Sequence, residues 1–303
     1  MSVMQSIRFD DSGLAASLNF IRNRSGRNLR SLVLAAGNRL AYAHYLWVNP
    51  YPLAVEEFWS QQLRRFSWSR DFEGKVGNVK DYLLGQERKK WLREVLRYLP
   101  KRHIFNTTVY LNLAYDNIVF GENVALNMGF QQFFIDNRES IYYLIHELAH
   151  AGYVRYHPVP RLWEIKTKGE LLEIIKYLTH LEGMGVQSAL RLRVTEGGLL
   201  DKDYQTLLNN KEKDRRISRY FRIFEKLEED VKGKVSDLPI QVFEKMSGKK
   251  NRLWYITGCY MAQEIERLYG IETLRKLVEK GSGEFFDKYL EKAYITTRAK
   301  GQV

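Results

Sequence analysis

Two histidines four residues apart, His146 and His150, with Glu147 between them, constrain this chain more than any other feature of its sequence. Residues i and i+4 share one face of a helix, so both imidazoles can reach a single metal ion. Glu147 is turned by about 100° from His146, which puts it beside such an ion as a general base and not as a ligand. The surrounding segment, SIYYLIHELAHAGYV over 140–154, reads as that helix. Ile141, Leu144 and Leu148 fall on the far side of the wheel, so the helix has an apolar back and a polar front. Asp136, three residues before Glu139, reads as a capping-box start.

A catalytic zinc needs a third protein ligand and an open position for water. A single cysteine, Cys259, excludes a Cys-rich site and an internal disulfide, so the ligands of any Zn2+ must be His and carboxylate. After His150 the possibilities are His157, Glu170, Glu173 and Glu182, with His180 as an outsider. A metzincin-type third histidine would stand at 156 with Gly at 153, and both positions are Tyr here. A long helix is expected over about 163–193, with Gly169 near its start, and it orders the acids. Leu171, Ile175, Leu178, Val186 and Ala189 lie within about 40° of Glu182 on the wheel. Glu182 thus sits in an apolar stripe, where a carboxylate is costly unless it is paired or bound to metal. Glu173 and His180 lie on the opposite face. Glu170 lies to the side, but its offset of 20 from His150 is thermolysin-like, so it stands second to Glu182. The alternative for Glu182 is a partner role to a buried Arg or a backbone amide.

Around the motif, residues 12–100 read as helices, punctuated by Pro50, Pro52 and Pro100. Residues 104–120 are rich in β-branched and aromatic side chains and suggest two strands, with a further strand in 121–134. No other stretch reads as sheet. Beyond 136 the chain is helical again: a polar helix at about 203–231, a helix over 254–270 capped by Gly270, and two short closing helices. The expected class is α+β, mainly α, with a helical region over 1–102 and a second domain over 103–303. No stretch reaches the roughly 18 uncharged apolar residues of a membrane span. The first residues carry acids by position 10 and no apolar run, so no membrane partner and a cytoplasmic location are expected.

His146–His150 followed by Leu181-Glu182-Gly183-Met184-Gly185 resembles the gluzincin metallopeptidases, whose second motif is a helix reading Asn-Glu-Gly-Phe/Leu/Met-Ala. Tyr255-Ile256-Thr257-Gly258 is similar to the Tyr-x-x-Gly segment that carries the transition-state tyrosine in their aminopeptidase branch. The order strand, HExxH helix, Glu-bearing helix, Tyr-bearing helix matches that catalytic domain over about residues 104–295. The resemblance implies a zincin-like domain with a small sheet over 103–303. It implies Zn2+ held by His146, His150 and Glu182, with Glu147 as base and Tyr255 as oxyanion donor. On its own residues Tyr255 also reads as core packing beside Trp254 and Tyr260. The resemblance further implies an edge strand near Ala125–Met128 that pairs with extended substrate.

Three positions depart from that pattern. The Asn before the family's Glu is Leu181, and the Asp that thermolysin-like proteins place four residues after that Glu, to accept from a ligand histidine, is Val186. The amine-binding motif Gly-x-Met-Glu-Asn is absent: Gly121-Glu122-Asn123 is a fragment of it, and Glu122 reads as a surface turn residue. The expected activity is zinc-dependent hydrolysis of a peptide or protein substrate, as an endopeptidase or oligopeptidase more than an aminopeptidase.

Two other classes compete. A zinc-binding helical protein without peptidase activity fits Val186 but has no need of Glu147. A basic nucleic-acid-binding protein fits the net charge of +12, but that role needs Arg and Lys on one face. They are scattered, with clusters only at Arg88-Lys89-Lys90 and Lys249-Lys250, and no nucleic-acid-binding motif is visible.

Overall fold

A computed structural model describes residues 6–161, 164–229, 231–235, 238–248 and 251–299. The chain divides into two compact units, residues 1–93 with 102–155 and residues 94–101 with 156–303. The described residues are mainly helical with one four-stranded sheet, the α+β, mainly α class that the sequence indicates. No described helix is long and apolar enough to cross a membrane.

The first unit opens with strand β1 (Ser6–Asp10) and helices α1 (Ser12–Arg22), α2 (Gly26–Leu34), α3 (Ala36–Val48), α4 (Val55–Arg64) and α5 (Arg70–Gly85). Helix α6 (Arg88–Tyr98) runs from this unit into the second. Strands β2 (Asn106–Asn112), β3 (Ile118–Phe120) and β4 (Asn123–Asn127), helix α7 (Gln131–Ile135) and helix α8 (Arg138–Val154) complete the first unit. The sheet order is β1-β2-β4-β3, with β1, β2 and β4 parallel and β3 antiparallel to β4. Strand β4 is buried at Val124–Asn127, as a strand covered on both faces should be. Helices α1 and α3 pack on β2, and α8 packs on β3 and β4.

Four expectations are corrected here. Residues 6–10, inside the expected helical region over 1–102, form a strand paired in parallel with β2 from Ser6 opposite Asn106 to Asp10 opposite Tyr110. The strand expected over 121–134 ends at Asn127, whose side-chain oxygen accepts the Gly129 N–H and turns the chain, so Gln131–Ile135 is a helical turn. The strand near Ala125–Met128 is not an edge: β4 lies between β2 and β3, and beyond their pairing its Asn127 N–H donates to the Asn117 side chain. The Asp136/Glu139 capping box is not formed, because the Asp136 carboxylate accepts from the backbone and guanidinium of Arg138.

The second unit holds α9 (Lys168–Glu196), α10 (Lys202–Leu208), α11 (Asn210–Glu228), α12 (Leu238–Ser247), α13 (Leu253–Tyr269), α14 (Ile271–Lys280) and α15 (Ser282–Ala299). Trp163, inside the expected span of α9, lies outside the described residues, as do Lys249 and Lys250. Helix α9 starts later than expected because Thr167 and Glu170 form a full capping box, and it ends at Gly197 with φ of 68°. Asn209 caps the helix after it, splitting the expected 203–231 helix in two. Gly270 terminates α13 as expected, with φ of 79°.

Helices α9 and α13 make the most extensive contact in this unit. They cross at Gly183 and Gly258, where a side chain on either residue would overlap the backbone of the other helix. Both motif helices thus carry glycine at the point where their backbones meet.

Candidate active site

Helix α8 carries the His146–His150 motif and is held by β3, β4, α5 and α7. Its polar front is itself largely buried: Glu147 is 5% exposed, His150 is 7% exposed and His146 is half-buried. The ring centroids of His146 and His150 lie 4.4 Å apart at 77°, as two imidazoles one turn apart on the same face should. A carboxylate and two imidazoles on so buried a helix are costly unless each has a partner.

Helix α9 sorts the possible third ligands. Leu171, Ile175, Val186 and Ala189 are buried and Leu178 half-buried, so the apolar stripe around half-buried Glu182 is real. Glu170 accepts the backbone N–H groups of Lys166 and Thr167 and closes the cap of α9. Those hydrogen bonds hold its carboxyl below the ordinary value. Glu173 is exposed and paired with Lys176 at 2.8 Å. His157 donates its Nε2–H to the Val278 carbonyl at 2.9 Å, and its own carbonyl accepts from the Tyr177 hydroxyl. His180 is fully buried and stacked on Phe285 at 4.0 Å, and burial holds it well below its ordinary pKa. Glu170 and His157 are thus engaged in holding their own loops.

Tyr255 stands half-buried in the first turn of α13. Burial pushes its hydroxyl above the ordinary range, and the charge of Glu182 adds to that rise, while Arg252 opposes it. The phenol is therefore protonated at neutral pH and is a hydrogen-bond donor. The Arg252 guanidinium carbon lies 3.3 Å from the Tyr255 ring centroid. Its Nε and Nη2 donate to Asp203 Oδ2 at 2.8 and 2.6 Å. Asp203 is 3% exposed; burial raises its carboxyl and the Arg252 guanidinium counters that rise.

Neither Arg252 nor Asp203 is reached by the sequence reading. They are 49 residues apart, and no motif spacing links them. Glu122, the fragment of the amine-binding motif, pairs with Arg155 at 3.1 Å on the surface.

Residues 81–296 match the model of a family described as "Putative zinc dependent peptidase (DUF5700)". The chain belongs to this family. No curated protein and no solved structure matches it. The family's span covers more than two thirds of the chain and contains His146, Glu147, His150, Glu182 and Tyr255. Membership in a zinc dependent peptidase family supports a hydrolase that uses zinc.

Proposed function

We propose that the protein is a zinc-dependent peptidase of the HExxH…E, gluzincin type on a zincin-like domain over 103–303. His146, His150 and Glu182 are the ligands, Glu147 the general base and Tyr255 the oxyanion donor. The observation that carries this reading is the donor set of α8, where Glu147 is 5% exposed and the ring centroids of His146 and His150 lie 4.4 Å apart, in a member of a zinc dependent peptidase family. Two imidazoles and one carboxylate are the donor set of a catalytic zinc with a position left open.

Zinc bound there supplies a Lewis acid that polarises a peptide carbonyl and makes water easier to deprotonate. Glu147 accepts the proton of the attacking water and returns it to the leaving amine, so the carboxylate ends each cycle as it began. The Tyr255 hydroxyl donates to the carbonyl oxygen as negative charge grows on it. Burial of Glu147 keeps competing water away from the proton it carries. Cleavage within a chain, as an endopeptidase or oligopeptidase, fits Glu122, which is paired with Arg155 and so is no anchor for a free α-amine.

Elemental analysis of untagged protein, with cleavage of a mixed peptide library, tests the reading. About one zinc per chain and metal-dependent cleavage at internal bonds are expected. Protein that neither contains zinc nor takes it up from buffer would overturn it.

A further inference from the structure

We infer that Arg252 is a positioning residue: clamped on Asp203, it holds the face of the Tyr255 ring and fixes where the phenol hydroxyl points. This rests on the proposed role of Tyr255.

Four observations converge on Arg252. Its backbone is left-handed, with φ of 50° and ψ of 36°, a conformation that is uncommon for a residue with a side chain and that neighbours help to hold. The neighbours are present: Arg216 donates to the Asn251 carbonyl at 2.6 Å, and Arg219 donates to the Asn251 side chain at 2.9 Å. The guanidinium makes two charge-assisted bonds to buried Asp203, and this planar fork orients the group as a lysine could not. The guanidinium carbon then lies over the Tyr255 ring, 3.3 Å from its centroid and well inside the roughly 6 Å reach of a cation–π contact. Asp203 is held in turn, since its backbone N–H donates to Asp201.

The electrostatics follow the same geometry. The charge of Glu182 acts on both Tyr255 and Arg252. A tyrosine beside a carboxylate can spend its hydroxyl on that carboxylate. A cation on the ring face fixes the ring plane and draws on the same negative charge, leaving the hydroxyl for a substrate oxygen.

The test is a double-variant cycle with one readout that does not need turnover. Arg252→Lys keeps the charge and can still reach Asp203, but cannot stack. It is expected to lower kcat about tenfold or more with KM and zinc content unchanged. In a Tyr255→Phe background the same change is expected to have no further effect on kcat, because the hydroxyl it positions is gone. An equal fall in both backgrounds would overturn the inference, as would wild-type kcat in Arg252→Lys. The second readout is the ring-carbon NMR resonance of Tyr255 in protein with labelled tyrosines, assigned by its loss in Tyr255→Phe. It is expected to move in Arg252→Lys and in Asp203→Asn. A Tyr255 resonance that stays in place in both variants refutes the clamp, whatever the protein hydrolyses. A moved resonance in a protein without peptidase activity would uphold the clamp and sink the proposed function instead.

Discussion

Gly183 and Gly258 face each other where α9 crosses α13, so close that a methyl group on Gly183 would overlap the Gly258 carbonyl carbon. One on Gly258 would overlap the Thr179 carbonyl oxygen. Gly183 follows Glu182, and Gly258 is one turn beyond Tyr255, so each glycine sets the depth at which its neighbour's helix lies. Gly183→Ala is expected to cost about 3 kcal/mol, the upper range for overpacking, because both clashing groups are backbone and cannot swing aside. Gly77→Ala in α5, where an added methyl meets nothing within 4 Å, should instead gain about 0.5–1 kcal/mol from helix propensity. Urea denaturation of both variants checks this. Equal midpoints for Gly183→Ala and the parent would mean that the helices do not cross so closely.

Glu182 and Glu170 are separated by what each already does. Glu170→Ala removes the acceptor for the Lys166 and Thr167 N–H groups, so it should weaken the start of α9 and leave zinc content unchanged. Glu182→Ala should empty the metal site while far-ultraviolet circular dichroism stays the same. Atomic absorption after dialysis against trace chelator reads both. Zinc retained in Glu182→Ala and lost in Glu170→Ala would reverse the assignment.

The parts of this molecule legible in its sequence are those written in local spacing. The α8 helix shows because its apolar positions and its two histidines repeat within a few residues. Gly270 shows as a stop because nothing else tolerates its φ of 79° so readily. Strand β1 stays hidden because its partner begins at Asn106, 100 residues on from Ser6, and a parallel pair leaves no hairpin signature. The α7 turn stays hidden because Phe-rich FQQFF has strand-like composition and only the Asn127 side chain turns the chain before it. For Glu170 the sequence carries the signal unread, since Thr167-Lys168-Gly169-Glu170 has the spacing of a capping box. Arg252 and Asp203 meet only through the packing of α10 and α13, which no pairwise spacing encodes.

Acid should destabilise the first unit through two histidines, half-buried His44 and buried His103. Burial lowers His44 to about 4, with its Nδ1 3.0 Å from the Tyr115 hydroxyl oxygen. Burial, and then the Arg155 charge, lower His103 to about 4. Unfolded histidine titrates near 6.5, so the unfolded chain takes up protons first. The stability these residues contribute is whole above about pH 6.5 and is lost as pH falls toward 4, at up to about 3 kcal/mol each. Urea midpoints between pH 7 and 4.5 should fall, and His44→Gln, which keeps a partner for Tyr115 without a titrating ring, should flatten that fall. An unchanged slope in His44→Gln would show that His44 is not buried neutral.

Glu147→Gln isolates the proton transfer from everything else in the site. Glutamine has nearly the shape of glutamate and can hydrogen-bond, but it cannot take a proton from water near neutral pH. Because Glu147 is only 5% exposed, bulk water is poorly placed to replace it. Zinc content and thermal stability should match the parent, since removing a buried charge leaves no charge uncompensated on that residue. The rate of peptide hydrolysis should fall by about 10²- to 10⁴-fold, the usual span for a general base, and further if the same group protonates the leaving amine. Tyr255→Phe, compared at the same zinc occupancy, should lose about 10²- to 10³-fold in kcat with KM unchanged, as expected for a donor used in the transition state. Near-parental cleavage by Glu147→Gln at full zinc occupancy would exclude Glu147 as the base and leave the motif a binding site alone.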